Sequence, residues 1–323
     1  MKKTMIAAAV AALVAAPAAF AEVTVSGHVL QEFIFDDDAT ANSATANDTG
    51  LNGEADAGLT FSASEDLGNG MSAFARIVIG TDNIGDGGGV AGNDTLVGLR
   101  GSFGTITTGR MEGFTEGQVH AMASVDSADN ASIEVTGGAP AAGDALAYVS
   151  PSFNGLTVGI AGYADHSGLG ETDDAFSATD IMVAYSAGPL TVRAAMQSID
   201  NAALSTAPAT TGLGEDTVSV GAQYTMDALT LRGVYTSADD VDGNAADDRD
   251  GWMVGMNYAM GNNVVGLGMS SQETNAAGAE NDAWIVDLTH NMSSRTRVYA
   301  TYLDRDNAGT DSSELTVGMR HAF

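Results

Sequence analysis

The chain has 323 residues, no cysteine, and 42 acidic residues against 12 Lys plus Arg, a net charge of −30. So acidic a composition excludes a nucleic-acid partner, because phosphate binding needs a basic face. The missing cysteine is compatible with an exported protein that carries no disulfide framework.

At the N-terminus, Lys2 and Lys3 precede an apolar stretch from Met5 to Ala16, then Pro17 and the small-residue pattern Ala19-Phe20-Ala21. This reads as a secretory signal peptide over 1–21, cleaved after Ala21. Its apolar core is shorter than the roughly 20 residues a spanning helix needs. No cysteine follows the cleavage point, which excludes a lipoprotein anchor. Residues 22–323 are then expected to form one domain. Both lysines fall in the leader, so the remaining cationic side chains are all arginines. Glycine is abundant (40 residues), proline is scarce (5), and no later stretch is apolar enough for a helical span.

From Val23 to Phe323 hydrophobicity alternates with period two in short runs, a strand signal. Sixteen strands are predicted: 23–35, 54–64, 70–80, 93–102, 104–110, 144–150, 155–165, 179–187, 189–199, 215–226, 228–237, 249–260, 262–271, 281–292, 294–304 and 313–323. Short connections alternate with long ones. The short ones lie near Asp66–Asn69, Phe103, Pro151–Asn154, Gly188, Asp227, Gly261 and Ser293. The long ones are 36–53, 81–92, 111–143, 166–178, 200–214, 238–248, 272–280 and 305–312. Short turns at one end and long loops at the other, with an even strand number, describe an outer-membrane barrel.

The faces of the strands are distinct. In 215–226, Val218, Val220, Ala222, Tyr224 and Met226 oppose Thr217, Ser219, Gly221, Gln223 and Thr225. Arg295, Arg297, Tyr299 and Thr301 share the polar side of 294–304; Thr316, Gly318 and Arg320 share that of 313–323. Arg76, Arg193 and Arg232 fall on polar faces too. A charge facing lipid at the midplane costs about 2–4 kcal/mol, so these faces are expected to line water. Gly58, Gly159, Gly221, Gly266 and Gly318 on the polar faces suggest a lumen left partly open. Phe33, Phe35, Tyr163, Tyr235, Trp252, Tyr258, Trp284, Tyr302 and Phe323 lie near strand ends, where an interfacial girdle would place them. Strands favour aromatics generally, which is the alternative.

Four segments carry a family resemblance. They are Val23-Thr-Val-Ser-Gly-His28, Val97-Gly-Leu-Arg-Gly-Ser-Phe-Gly-Thr-Ile-Thr-Thr-Gly-Arg110, Tyr148-Val-Ser-Pro-Ser-Phe-Asn-Gly-Leu156 and the closing Val317-Gly-Met-Arg-His-Ala-Phe323. They resemble, in order, the opening strand, the strand–turn–strand before the constriction loop, the turn after that loop, and the terminal strand of Gram-negative general porins, particularly the alpha-proteobacterial type. The resemblance implies an all-β, 16-stranded antiparallel transmembrane barrel and a homotrimer. It also implies a third loop, 111–143, folded into the lumen, and Phe323 as a signal read by the barrel-assembly machinery.

In such a pore, wall arginines face loop acids across a narrow, oriented-water constriction. The wall candidates are Arg76, Arg100 and Arg110; the loop candidates are Glu112, Glu116, Asp126, Asp129 and Glu134. The alternative for the arginines is structural pairing with lumen carboxylates such as Glu32 or Asp56. Acidic clusters at Asp36–Asp38, Asp173–Asp174 and Asp239–Asp250 raise the question of Ca²⁺, with Asp239, Asp240 and Asp242 as candidates. The last cluster lacks a terminal Glu at EF-hand spacing, and a solvated, repulsive loop is the competing reading. The five histidines are scattered without metal spacing, and no catalytic set stands out. The expectation is therefore a passive channel rather than an enzyme. It would need no cofactor, with Ca²⁺ the one candidate ion, and would pass small hydrophilic solutes and ions with weak cation preference. Its expected surroundings are outer-membrane lipid and lipopolysaccharide. The rivals are a substrate-specific outer-membrane channel and a secreted calcium-binding β-structural protein.

Overall fold

A computed structural model describes residues 22–36, 50–81, 90–125, 142–164, 176–200, 214–241, 244, 247–274 and 279–323. The expected signal peptide lies outside these residues. The described residues form sixteen strands: β1 (Glu22–Asp36), β2 (Gly50–Gly68), β3 (Met71–Thr81), β4 (Val90–Gly101), β5 (Gly104–Met111), β6 (Ala142–Val149), β7 (Leu156–Tyr163), β8 (Ala178–Ala187), β9 (Leu190–Ile199), β10 (Asp216–Met226), β11 (Leu229–Asp239), β12 (Arg249–Met260), β13 (Asn263–Thr274), β14 (Ala279–Asn291), β15 (Thr296–Asn307) and β16 (Thr310–Ala322). Each pairs antiparallel with its sequence neighbours, and β1 pairs with β16 to close the barrel. Closure leaves no unpaired sheet edge, which is what lets strands cross lipid.

The alternation sorts the side chains as the sequence implies. In β10, Thr217 and Ser219 are buried while Val218, Val220, Tyr224 and Met226 are exposed. In β15, Tyr299, Thr301 and Leu303 are buried and Tyr302 is exposed. The exposed apolar rows form the outer face, as required of a barrel in lipid, and the polar rows line the inside. At the turn end, Asn69-Gly70 connects β2 to β3 with positive φ at both residues (54° and 75°), the geometry of a two-residue hairpin turn.

Two details of the strands depart from the sequence expectation. Residues 305–312 are not a long loop: β15 and β16 run on to Asn307 and Thr310, joined by Ala308-Gly309 at φ 53° and 88°. Asp306 and Asp311 look like loop residues, yet a strand can carry carboxylates once it rises beyond the hydrocarbon. Tyr163 is not part of an outer girdle; it is buried on the inner side with Ala145, Ala161 and Ile199. Trp252, Trp284 and Tyr302 do lie exposed on the outer face, the last two rings 5.2 Å apart.

The inward glycines are not gaps. A Cβ at Gly318 would lie 2.4 Å from the Tyr299 ring. The register explains this, since Glu32, Gly318 and Tyr299 are direct cross-strand neighbours. Tyr299 leans over the bare position so that its hydroxyl donates to Glu32 Oε1, itself fully buried. Nearby, Thr289 and Thr301 hydroxyls donate to the two oxygens of Asp287, at 2.9 and 2.8 Å. The inner wall between β14 and β1 is thus a hydrogen-bonded polar lattice, as buried polar groups require.

Candidate functional site

The chain leaves β5 at Met111 and makes one wide helical turn, Thr115–Val119, then a tighter one, His120–Met122. Residues 112–125 do not lie over the barrel's outer face. They run along the inward rows of the wall, strand by strand. Phe114 covers Gly159 of β7. The Thr115 amide donates to Asp180 Oδ2 of β8 at 3.0 Å, with its hydroxyl 3.4 Å from Oδ1. Arg193 of β9 donates to the Gln118 carbonyl at 2.7 Å. His120 Nε2 lies 2.9 Å from the hydroxyls of both Ser219 (β10) and Thr236 (β11), and its Nδ1 is 3.1 Å from Glu116 Oε2. Arg232 of β11 donates to the Ser124 carbonyl, and Asn257 of β12 to the Val125 carbonyl, both at 2.7 Å.

Small wall residues make this approach possible. A Cβ at Gly221 would meet Met122 and Val119. One at Gly255 would lie 2.4 Å from Val125, and one at Gly266 only 2.2 Å from the Val125 carbonyl oxygen. The apolar side of the segment (Val119, Met122, Ala123, Val125) is buried in one cluster with Ala195, Val234 and Met253 of the wall. Charged donors on backbone carbonyls contribute about 1.5–3 kcal/mol each, so Arg193 and Arg232 are clamps on the segment.

The predicted arginines separate. Arg76 points inward from β3, half exposed, 3.7 Å from Asp94 of β4. It is close enough to Glu112 to act on its carboxyl. Glu112 holds its proton more tightly than an ordinary glutamate, through burial first and then the charges of Asp94 and Glu116; Arg76 pulls the other way. Arg76, Asp94, Glu112 and Glu116 therefore form one charged group where the segment leaves the wall. Arg100 shares the inward row but lies four residues nearer the turn end, roughly 13 Å lower along the strand. Its guanidinium sits 5.0 Å over the Phe74 ring. Arg110 is a correction. It pairs with Thr95 and shares the row of the exposed Ile106 and Val97, so strand alternation places it on the outer side while Gly109 and the buried Met111 take the inner positions.

Asp126, Asp129, Glu134 and Asp242 lie outside the described residues. Asp239 ends β11 and Asp240 follows it, its amide donating to Asp248 at 3.2 Å. Asp240 also binds its proton more tightly than usual, through desolvation, then the carboxylates of Glu215, Asp248 and Asp239. Among the described residues no group of three or more His, Cys, Asp or Glu could hold a metal ion. Phe323 closes β16: its amide and carbonyl bond Gly27 at 2.9 and 3.0 Å, and its ring covers that glycine.

Comparison with known proteins agrees with this architecture. A family model described as Gram-negative porin matches residues 7–310. A "Monosaccharide porin" of a Halomonas species and the "Major outer membrane protein" of Halomonas elongata are each 28% identical over 226 residues. Each match covers 62% of this chain and 60% of the relative, so about three-fifths of each relative's length is spanned. An anion-selective porin from Comamonas acidovorans superposes with a TM-score of 0.72 at 20% identity, covering 94% of this chain and all of that one. The OmpF of Salmonella typhi, in complex with daunomycin, gives 0.71 at 18% identity over 93% of this chain and 97% of its own. At such identities the structures speak for the fold alone.

Proposed function

As a member of the Gram-negative porin family, the chain is an outer-membrane channel protein, and we propose that it is a general diffusion pore for small hydrophilic solutes and ions, weakly cation-preferring and assembled as a homotrimer. The supporting observation is the segment 112–125, pinned to the inner wall from β7 to β13 by both apolar packing and charged clamps. A segment so held narrows the lumen without closing it. In this reading the connection 111–143 is the constriction loop, and solutes pass between it and the facing wall of β14 to β4.

The charges decide what passes. Arg193 and Arg232 are spent on loop carbonyls, while Glu112 stands within reach of Arg76, with Glu116 and Asp94 beside it. Opposed charges orient the water between them, so apolar solutes lose more than small polar ones on entry. The acidic surplus of the chain favours cations at the mouth. Outer-membrane lipid and lipopolysaccharide would surround the apolar rows, and Phe323, at the free end of the closing strand, would serve as the assembly signal.

Reversal potential across a KCl gradient in planar bilayers tests the ion preference. A modest shift toward the cation potential is expected, and a clear anion preference would overturn it. The name of the Halomonas relative favours a second reading, a channel with a monosaccharide site. That reading requires ion current to be blocked saturably by a monosaccharide; unaffected current supports general diffusion.

A further inference from the structure

We propose that Arg297 and Arg320 form a binding station on the lumen wall for the oxyanion of a passing solute, a carboxylate or a phosphate. The inference rests on the channel reading above, because a solute must enter the lumen to meet the pair.

The strands set the pair. Arg297 stands one residue inside β15, and Arg320 two residues before the end of β16. They are directly opposite one another in the register. Arg297 shares the row of the buried Tyr299 and Thr301, and Arg320 that of the buried Thr316, so both lie on the inner side of the wall. Both stay partly exposed there. Directly opposite residues have Cβ atoms about 4.5–5.5 Å apart, so two long guanidinium arms can close on one anion.

Register also fixes the neighbours. Asn291 of β14 flanks Arg297 on its other side, and Leu30 of β1 flanks Arg320. The next rung toward the loop end is Tyr299 opposite Gly318. The next rung toward the turn is Ala322, whose amide donates to the Arg295 carbonyl. None of these positions holds a carboxylate, and Arg295 adds a third, exposed cation at the rim. Glu32 and Asp287, farther along the same wall, are buried and accept the hydroxyls of Tyr299, Thr289 and Thr301.

Like charges directly opposite destabilise a sheet. An anion between the two arginines relieves that repulsion, and the relief adds to its binding. Arginine suits the task, since it keeps its charge and its planar fork matches two oxygens of one carboxylate or phosphate. The solutes that fit are small hydrophilic anions such as sugar acids and sugar phosphates. A held anion cancels part of the pair's charge, so the station leaves the cation preference of the pore in place.

The test is single-channel KCl current with potassium gluconate, inorganic phosphate or uncharged sorbitol added. Gluconate and phosphate should interrupt the current saturably, and sorbitol should not. Arg297→Gln/Arg320→Gln should raise the half-saturating gluconate concentration about tenfold, against less than about twofold for Arg100→Gln, an inward arginine of β4 outside the pair. Should the double variant fail to assemble, Arg320→Gln alone should raise it about threefold. The interruptions should weaken from 0.1 M to 1 M KCl, as the screening length falls from about 10 Å to about 3 Å. Equal effects of gluconate and sorbitol, interruptions unchanged in the pair variants, or an equal loss in Arg100→Gln would overturn the proposal and leave the channel intact. Absence of any KCl current would instead remove the channel reading beneath it.

Discussion

Gly266→Ala should loosen the segment 112–125 from the wall with a single methyl group. The added Cβ would stand 2.2 Å from the Val125 carbonyl oxygen. Carbon and oxygen tolerate little below about 3.2 Å, so the carbonyl must retreat by about 1 Å, which takes its 2.7 Å bond from Asn257 Nδ2 out of range. Overpacking of this kind costs about 1–3 kcal/mol, equivalent to roughly five- to hundredfold in the docking equilibrium. Hydrogen exchange of the amides of 112–125 reads that equilibrium directly. Gly233→Ala is the control: it makes the same change on the outer row of β11, away from the segment, where its Cβ would meet nothing closer than 3.6 Å. Faster exchange in Gly266→Ala alone is expected. Equal exchange in the two variants would refute the close approach of segment and wall.

The clamps make related predictions. Asp180→Leu strips the partner from the Thr115 amide and hydroxyl, and should cost about 1–3 kcal/mol of docking, seen as protease cleavage within 111–143. Tyr299→Phe removes a donor from the buried Glu32 and should lower the temperature at which the folded gel band is lost, with pore size unchanged. Glu112 has a raised folded-state pKa, so its ionisation works against docking. Docking should strengthen as pH falls through that raised value toward the ordinary glutamate range and stay at its weakest, without further change, above it, while cation preference declines on acidification before ordinary carboxylates titrate. Glu112→Gln should remove both pH effects in exchange and reversal-potential measurements.

Strand faces were readable because each is a local pattern. The row of Thr217, Ser219 and Gly221 against Val218 and Val220 repeats every two residues and needs no partner to be recognised. Where the pattern is weak, strand ends are hard to place: Asp306 and Asp311 resemble loop, although they extend β15 and β16 above the aromatic rows. The segment's anchors were a different matter. Thr115 and Asp180 are 65 residues apart, and Val125 and Asn257 are 132 apart. Arg193 and Arg232 could be placed on inward faces, but nothing local says that they end on carbonyls rather than in water. The inward glycines misled for the same reason, since a missing side chain marks either space or a seat for distant atoms. Arg110 shows the limit of spacing: it follows the turn motif closely, yet one position of strand alternation puts it on the other side of the wall from Arg76.

A water-filled passage narrowed by a docked segment should sort uncharged solutes by size. Liposomes carrying the purified protein, placed in a series of uncharged sugars of increasing size, should swell at rates that fall steadily with solute size and rise in proportion to solute concentration without saturating. Swelling no faster than in protein-free liposomes would show that no such passage exists.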